Sequence, residues 1–274
     1  MAEIDLSYAL RLPPKEAIAF LQQKGFAITW DWKENLGERN VQSFSVSRAT
    51  KLEVLQAIHA ELLRVLTDGI TERTFIKELA PALEKLGWWG WQELTDPKTG
   101  ETRLVNIGPW RLQTIFRTNI QAAYMAGRYK AQIDGAEDRP WWEYVAVLDE
   151  RTRPGHAALH GRIFRYDDPI WDFIYPPNGF NCRCRVRTLS DFALERSGGR
   201  PENSAGRIGE IVVPIGEDRE GNTITRTVKT FRYTDAMGQE KIFHPDPGFD
   251  YNPGRTWARW DALGSLEDCL EQTK

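Results

Sequence analysis

Residues 144–161 read Tyr144-Val-Ala-Val-Leu-Asp-Glu-Arg-Thr-Arg-Pro-Gly-His-Ala-Ala-Leu-His-Gly161. They stand where the texture of the chain changes from helical to mixed. The aromatic and apolar run Trp142 to Leu148 has the composition of a strand. Arg162 to Tyr166 reads as a second strand, and Arg183 to Leu189 alternates as a third. Further on, Ile211 to Ile215 and Thr223 to Tyr233 are rich in β-branched residues. With the polar stretch Glu217 to Asn222 between them, they read as a β-hairpin. The segment Gly198 to Gly206, rich in Ser, Pro, Asn and Gly, reads as a flexible loop, and Trp257 to Gln272 closes the chain as a helix.

Upstream the period is 3.6. Pro13-Pro14-Lys15-Glu16 opens a helix carrying Ala17, Ile18, Phe20 and Leu21, which ends near Gly25. Ser47 to Leu66 predicts a long amphipathic helix through Leu52, Leu55, Ile58, Leu62, Val65 and Leu66, broken by Asp68-Gly69. Thr71 caps a third helix through Leu86, and Pro81 inside it predicts a kink or a restart. Asp96-Pro97-Lys98-Thr99-Gly100 is a turn cluster. Pro109 to Ile133 gives the strongest helical pattern, with small residues at Ala122, Ala123 and Ala126 for close packing, and it stops at Asp134-Gly135. The expected fold class is therefore α+β. A helical N-terminal region (1–137) precedes a small mixed α/β domain (138–274) with short strands and a β-hairpin, the boundary falling near Gly135 to Pro140.

Composition bounds the function. The 274 residues include 36 basic and 39 acidic ones, a net charge of -3, so global steering toward nucleic acid is not expected. Three cysteines, Cys182, Cys184 and Cys269, are too few for a secreted disulfide framework and suit a reducing cytoplasm. Met1 to Leu12 carries Glu3 and Asp5 and no long apolar run, so no signal peptide is expected, and no stretch approaches the ~20 apolar residues of a membrane span. Eleven tryptophans are many for this length, and Trp88, Trp89 and Trp91 are too crowded to all point inward.

The reactive side chains concentrate in one region. His156 and His160 are spaced i, i+4, which on a helix places both imidazoles on one face. Cys182 and Cys184 follow, too close along a strand for an easy mutual disulfide, since same-face neighbours sit about 7 Å apart. His156, His160, Cys182 and Cys184 make a candidate four-ligand metal set, and zinc is the metal that N and S donors suit. A filled shell of four protein ligands would make it structural. Two packed cysteines and two surface histidines are the alternative, and need no metal. Asp149 with His156 as an acid/base pair, or Cys182 with a histidine as nucleophile and base, are the catalytic readings. No glycine-rich phosphate loop accompanies them, and a non-enzymatic protein is expected. Arg183, Arg185 and Arg187 would share one strand face, suited to phosphate or carboxylate contact with nucleic acid or a partner, or else paired with acids such as Glu150 or Asp168. The loop with Pro245, Pro247, Asn252 and Pro253 around Phe249 and Tyr251 reads as a structured lid or a partner-binding arm.

Residues 144–161, together with Tyr166-Asp-Asp-Pro-Ile-Trp171 and Tyr175-Pro-Pro-Asn-Gly-Phe-Asn-Cys-Arg-Cys-Arg185, resemble the Mu F-like family of phage head-morphogenesis or minor head proteins. Phe116-Arg-Thr-Asn-Ile-Gln-Ala-Ala-Tyr124, Gly127-Arg-Tyr-Lys130 and Asp246-Pro-Gly-Phe-Asp-Tyr-Asn-Pro-Gly254 are similar to the same family's preceding helix and tail motif. The resemblance implies a virion component present in few copies near the portal end of the head, made in the host cytoplasm. Its expected partners are portal and capsid proteins and the phage DNA, during packaging or ejection, with no membrane. Some relatives carry Thr-Cys-x-x-Cys and Pro-Pro-x-His-x-x-Cys. Arg153 and Gly179 stand at the first cysteine and the histidine here, while His156 and Cys182 stand at the other two positions. His160 and Cys184 would have to complete the set.

Overall fold

A computed structural model describes residues 14–218 and 220–271, with side-chain surroundings described to residue 262. The readings at Met1 to Leu12, Pro13 and Gln272 lie outside the described residues. The architecture is α+β, as expected. Helix α1 spans Lys15–Gln22, and the two-residue strands β1 (Gly25–Phe26) and β2 (Ser43–Phe44) pair in parallel around the short helix α2 (Arg39–Gln42). The first long helix, α3, is Leu52–Asp68 and does not start at Ser47 as the periodicity predicts. Arg48 adopts a left-handed φ of 63°, and its N–H is spent on Thr29 O, so 45–51 is a turn. Gly69 terminates α3 in the left-handed conformation, its N–H donating to Val65 O.

Thr71 caps α4 (Glu72–Lys85) by accepting from Thr74 N–H. Pro81 neither ends nor restarts that helix, which keeps Phe75, Leu79 and Leu83 buried on both sides of it. Strands β3 (Gly90–Thr95) and β4 (Thr102–Ile107) form a hairpin whose tip is the Asp96 turn, the carboxylate accepting from Lys98 N–H and Thr99 Oγ1. Of the crowded tryptophans, Trp88 is buried while Trp91 is 67 % exposed.

Helix α5, Pro109–Asp134, is the spine. Leu112, Ile115, Ala122, Ala123 and Ala126 pack into a first core with α1, α3 and α4, whereas Met125 and Tyr129 belong to a second core. That second core is aromatic: Trp142, Tyr144, Phe164, Trp171, Tyr175 and Phe231. It lies on a four-stranded sheet of order β7-β5-β6-β8, made of β7 (Arg185–Leu189), β5 (Trp141–Val145), β6 (Ile163–Arg165) and β8 (Pro201–Glu202). Register pairs Tyr144 with Val186 and Trp142 with Phe164, both antiparallel, and β8 adds in parallel. A second sheet of order β11-β10-β9 holds the expected hairpin, β9 (Ile208–Glu217) and β10 (Thr223–Thr234), with β11 (Glu240–Phe243) on the other edge. A short helix, α6 (Pro154–Leu159), follows β5, and α7 (Asp191–Ser197) follows β7.

The segment 198–206 is not the loose loop expected. It contributes β8, and Ser204, fully buried, bonds to Asp168, which also caps the turn at Ile170. The final helix, α8 (Pro253–Glu271), starts four residues before Trp257 because Asn252 Oδ1 accepts from the N–H groups of Gly254 and Arg255. It crosses back to pack on α5, and Tyr251 and Trp257 join the first core. Phe249 and Tyr251 are therefore buried packing groups and no projecting arm. No helix among the described residues is long and apolar enough to cross a membrane.

Gly254 is where α8 meets α5: a Cβ there would come within 2.7 Å of Tyr129 Cγ. Gly254→Ala is expected to lower folding free energy by about 1–3 kcal/mol, measured by urea unfolding. Lys24 is buried beneath the Phe20 ring, 4.7 Å from its centroid, and burial depresses its pKa from 10.5 to about 7. The unfolded chain, with an ordinary lysine, then binds more protons than the folded one between pH about 7 and about 10. Stability should rise with pH across that window, and Lys24→Met should flatten the rise.

Candidate metal centre

Strand β5 carries Tyr144 into the core, and the chain then turns at Asp149 into α6. Asp149 accepts from Arg151 N–H and from Arg183, whose guanidinium sits at 2.7 Å and holds the carboxyl well below the usual carboxylate range. Thr152 Oγ1 bonds to Val147 O and tightens the same turn. Helix α6 presents one buried face, Leu159 and His156.

The segment 175–185 supplies the facing wall. A cis bond joins Pro176 to Pro177, and Asn181 adopts a left-handed φ of 58°. Cys182 N–H then donates to Gly179 O, and strand alternation buries Cys182 and Cys184 while Arg183 faces out. The His156 ring nitrogen Nδ1 lies 3.7 Å from Cys182 Sγ and 3.5 Å from Cys184 Sγ. The three candidate ligand atoms all fall within 4.8 Å of one another, and all three residues are buried. Neither cysteine is in a disulfide.

The thiols are electrostatically split. The hydrogen bond from Cys184 pushes the Cys182 thiol well below its ordinary value, helped by His156, while the same bond and burial push Cys184 up. Of the two thiols, Cys182 is therefore the one that gives up its proton more readily. Tyr144, raised well above its ordinary value by burial, closes the pocket floor, and its hydroxyl donates to Asn178 Oδ1 at 2.7 Å. Tyr144 and Asn178 were not among the expected site residues. Their signal in the sequence is slight: a tyrosine in strand phase and an asparagine after two prolines.

His160 does not join the cluster. Helix α6 ends at Leu159, so the i, i+4 geometry never forms. His160 turns outward as the helix cap, and its Nδ1 accepts from Ala146 N–H at 3.2 Å. A shell of four protein ligands is therefore not assembled from the expected set. Arg153 and Gly179 are close neighbours, and Arg153 pairs with Asp246 at 3.2 Å and donates to Phe180 O. Outside the three ligand atoms lies a cavity of about 390 Å³, also lined by Arg117, Arg151, Arg153 and Arg183.

The three arginines of the strand do share its outer face, but two are occupied. Arg183 is held by Asp149, and Arg187 Nε donates to Glu143 Oε2 at 2.8 Å. The partners are Asp149 and Glu143, where Glu150 or Asp168 was expected. Arg185 is exposed and has no ion pair among the described residues. Asp149 and His156, each engaged elsewhere, make no hydrogen bond to one another among the described residues.

His156→Ala strips both buried thiols of their ring partner and should cost about 1–3 kcal/mol in denaturant unfolding. His160→Ala, losing one bond at an exposed site, should cost clearly less.

Comparison with known proteins places this geometry in context. The family profile described as "Phage Mu protein F like protein" matches residues 56–187. The "Putative capsid assembly protein F" of Escherichia phage Mu is 45% identical over 252 residues, covering 92% of this chain and 56% of that protein. The "Mu-like prophage FluMu F protein" of Haemophilus influenzae is 41% identical over 227 residues, 83% of this chain and 53% of that protein. The chain thus spans about half the length of these curated relatives. No solved structure matches it.

Proposed function

The chain belongs to the family of phage Mu protein F like proteins, and from that membership we propose that it is a non-enzymatic structural component of a Mu-like phage or prophage head, acting in head morphogenesis. The observation that carries this reading is the 45% identity along 92% of the chain to a protein named for capsid assembly. Its partners are portal and capsid proteins, and its site of action is the virion, after synthesis in the host cytoplasm. Contact with phage DNA during packaging or ejection is the finer part of the same reading.

The reading of Asp149 and His156 as an acid/base pair gains no support, whereas His156 does stand against Cys182. His156 faces two thiols, Asp149 is fastened to Arg183, and Tyr144 is bonded to Asn178. A nucleic-acid-binding module built on the strand arginines gains no support, because Arg183 and Arg187 are neutralised by acids of the same fold.

The donor set of His156, Cys182 and Cys184 fits zinc in chemistry and spacing. An ion bound there would tie α6 to the 175–185 segment, with the protein supplying three of its ligands. Its fourth position would face the arginine-lined cavity. Without an ion, the imidazole and thiols make the same link through hydrogen bonds.

Two measurements test these statements. Deleting the gene from its phage or prophage should leave lysates with absent or malformed heads by electron microscopy, and wild-type numbers of DNA-filled heads would overturn the role. Metal analysis of the purified protein should give one zinc per chain, lost in Cys182→Ala and kept in His160→Ala. Metal-free protein with an unchanged Tm on adding chelator would reduce the site to a hydrogen-bonded stitch.

A further inference from the structure

A larger cavity, about 530 Å³, opens on the other side of the 177–181 segment, between the start of α5 and the turn at 45–48. Two arginines line it, Arg48 and Arg111. Their guanidinium groups pack on tryptophans, 5.7 Å from the Trp30 centroid and 5.4 Å from that of Trp88. Neither is paired with a carboxylate among the described residues. Asp31, which also lines the cavity, accepts from Lys33 N–H and pairs with the Lys33 ammonium at 3.6 Å. The Nε atoms of both arginines, and Thr118 Oγ1 of the same lining, are buried with no hydrogen-bond partner among the described residues, although Arg111 donates through its terminal nitrogen to Ser47 O.

Such a pair is costly. Burial, with a smaller contribution from the neighbouring Arg48 charge, lowers the Arg111 pKa to about 10. Arg48 also holds its left-handed φ, a conformation that only glycine adopts freely. Helix α5 starts at the same place. Its N-cap, Gly108, offers no side-chain acceptor, and its carbonyl accepts from the Arg111 N–H, while Trp110 and Arg111 of the first turn line the cavity. Two like charges and a left-handed backbone thus meet where, among the described residues, no carboxylate pairs with either guanidinium. Structures keep such an arrangement when an anion from outside completes it.

We propose that this cavity receives an acidic side chain, Asp or Glu, flanked by apolar residues, from a protein partner in the head. The proposal rests on the head-assembly reading and names the chemistry of the partner. Bidentate arginine contacts take the carboxylate. Part of the remaining wall is apolar and aromatic, with Trp32, Ile115, Phe180 and Phe249, and suits the flanking side chains, while asparagines and hydroxyl residues make up the rest. Trp110, 74 % exposed at the rim, offers a further anchor. A DNA backbone fits less well. It presents a row of phosphates to an exposed basic track, whereas this charge is one recessed pair of arginines, on a chain of net charge -3.

The test is a fluorescence titration, since Trp32 and Trp110 report on the cavity. The probes are the capped tripeptide acetyl-Leu-Asp-Leu-amide, its Asn counterpart, and a short DNA duplex. The Asp peptide should quench saturably, and the Asn peptide should bind about tenfold more weakly. Arg48→Gly removes one guanidinium and relieves the backbone, so it should weaken the Asp peptide about tenfold while its Tm stays at or above the parent's. Arg111→Gln should weaken the peptide similarly. Equal binding of the Asp and Asn peptides, no saturable quenching, or full affinity in Arg48→Gly would overturn the proposal. So would a duplex whose binding is lost in Arg48→Gly while the peptide does not bind, since that identifies a phosphate site. Head formation is scored separately by particle morphology. A chain that is needed for heads but ignores the peptide sinks this site alone, and a chain that binds the peptide but is dispensable for heads sinks only the assembly role.

Discussion

Tyr129 is the contact on which the two cores depend. It sits on α5 with its ring edge-on to Trp142 at 5.7 Å and to Tyr175 at 5.3 Å, which fixes the aromatic sheet against the helix. Its hydroxyl accepts from Arg255 Nε at 2.9 Å, and its Cβ lies against Gly254, which fixes the closing helix against the same spine. One side chain therefore joins elements that are more than a hundred residues apart. Gly127 lies against Ala17 and Glu16 and lets α1 approach closely, and the buried alanines of α5 belong to the first core, so the helix serves both cores at once.

The candidate metal centre inherits its rigidity from that arrangement. Strand β5 is held between β6 and β7, and its Tyr144 is locked to Asn178, so the wall bearing Cys182 and Cys184 cannot shift without disturbing the aromatic core. Arg183–Asp149 and Arg153–Asp246 brace the two loops that carry the ligands, and each salt bridge is partly exposed, so position more than energy is what they supply. The two cavities lie on either side of Phe180 and Asn181, which line both. A bound partner in one would sit against the backbone that frames the other.

Much of this was legible from local pattern. The helices at 72–85 and 109–134, the Asp96 hairpin and the 208–234 hairpin follow from periodicity and turn chemistry, because those signals act within a few residues. The alternation that buries Cys182 and Cys184 and exposes the three arginines is also a local property of an extended chain. The start of α3 was misplaced because Arg48 spends its N–H on Thr29, a partner nineteen residues away that no window of periodicity contains.

The sequence by itself determined the fold class, the order of most elements, the family resemblance and a candidate set in which His156, Cys182 and Cys184 stood together with His160. The tertiary structure alone decided which groups meet. It ended α6 one residue short of His160 and so removed that residue from the cluster, and it turned Phe249 and Tyr251 inward. It matched Arg183 and Arg187 with acids from β5 and the turn after it, and it left Arg48 beside Arg111 with no ion pair among the described residues. The physical reason is the same in each case. Backbone preference is set by neighbours in the chain, but charge pairing, ligand convergence and burial are set by neighbours in space.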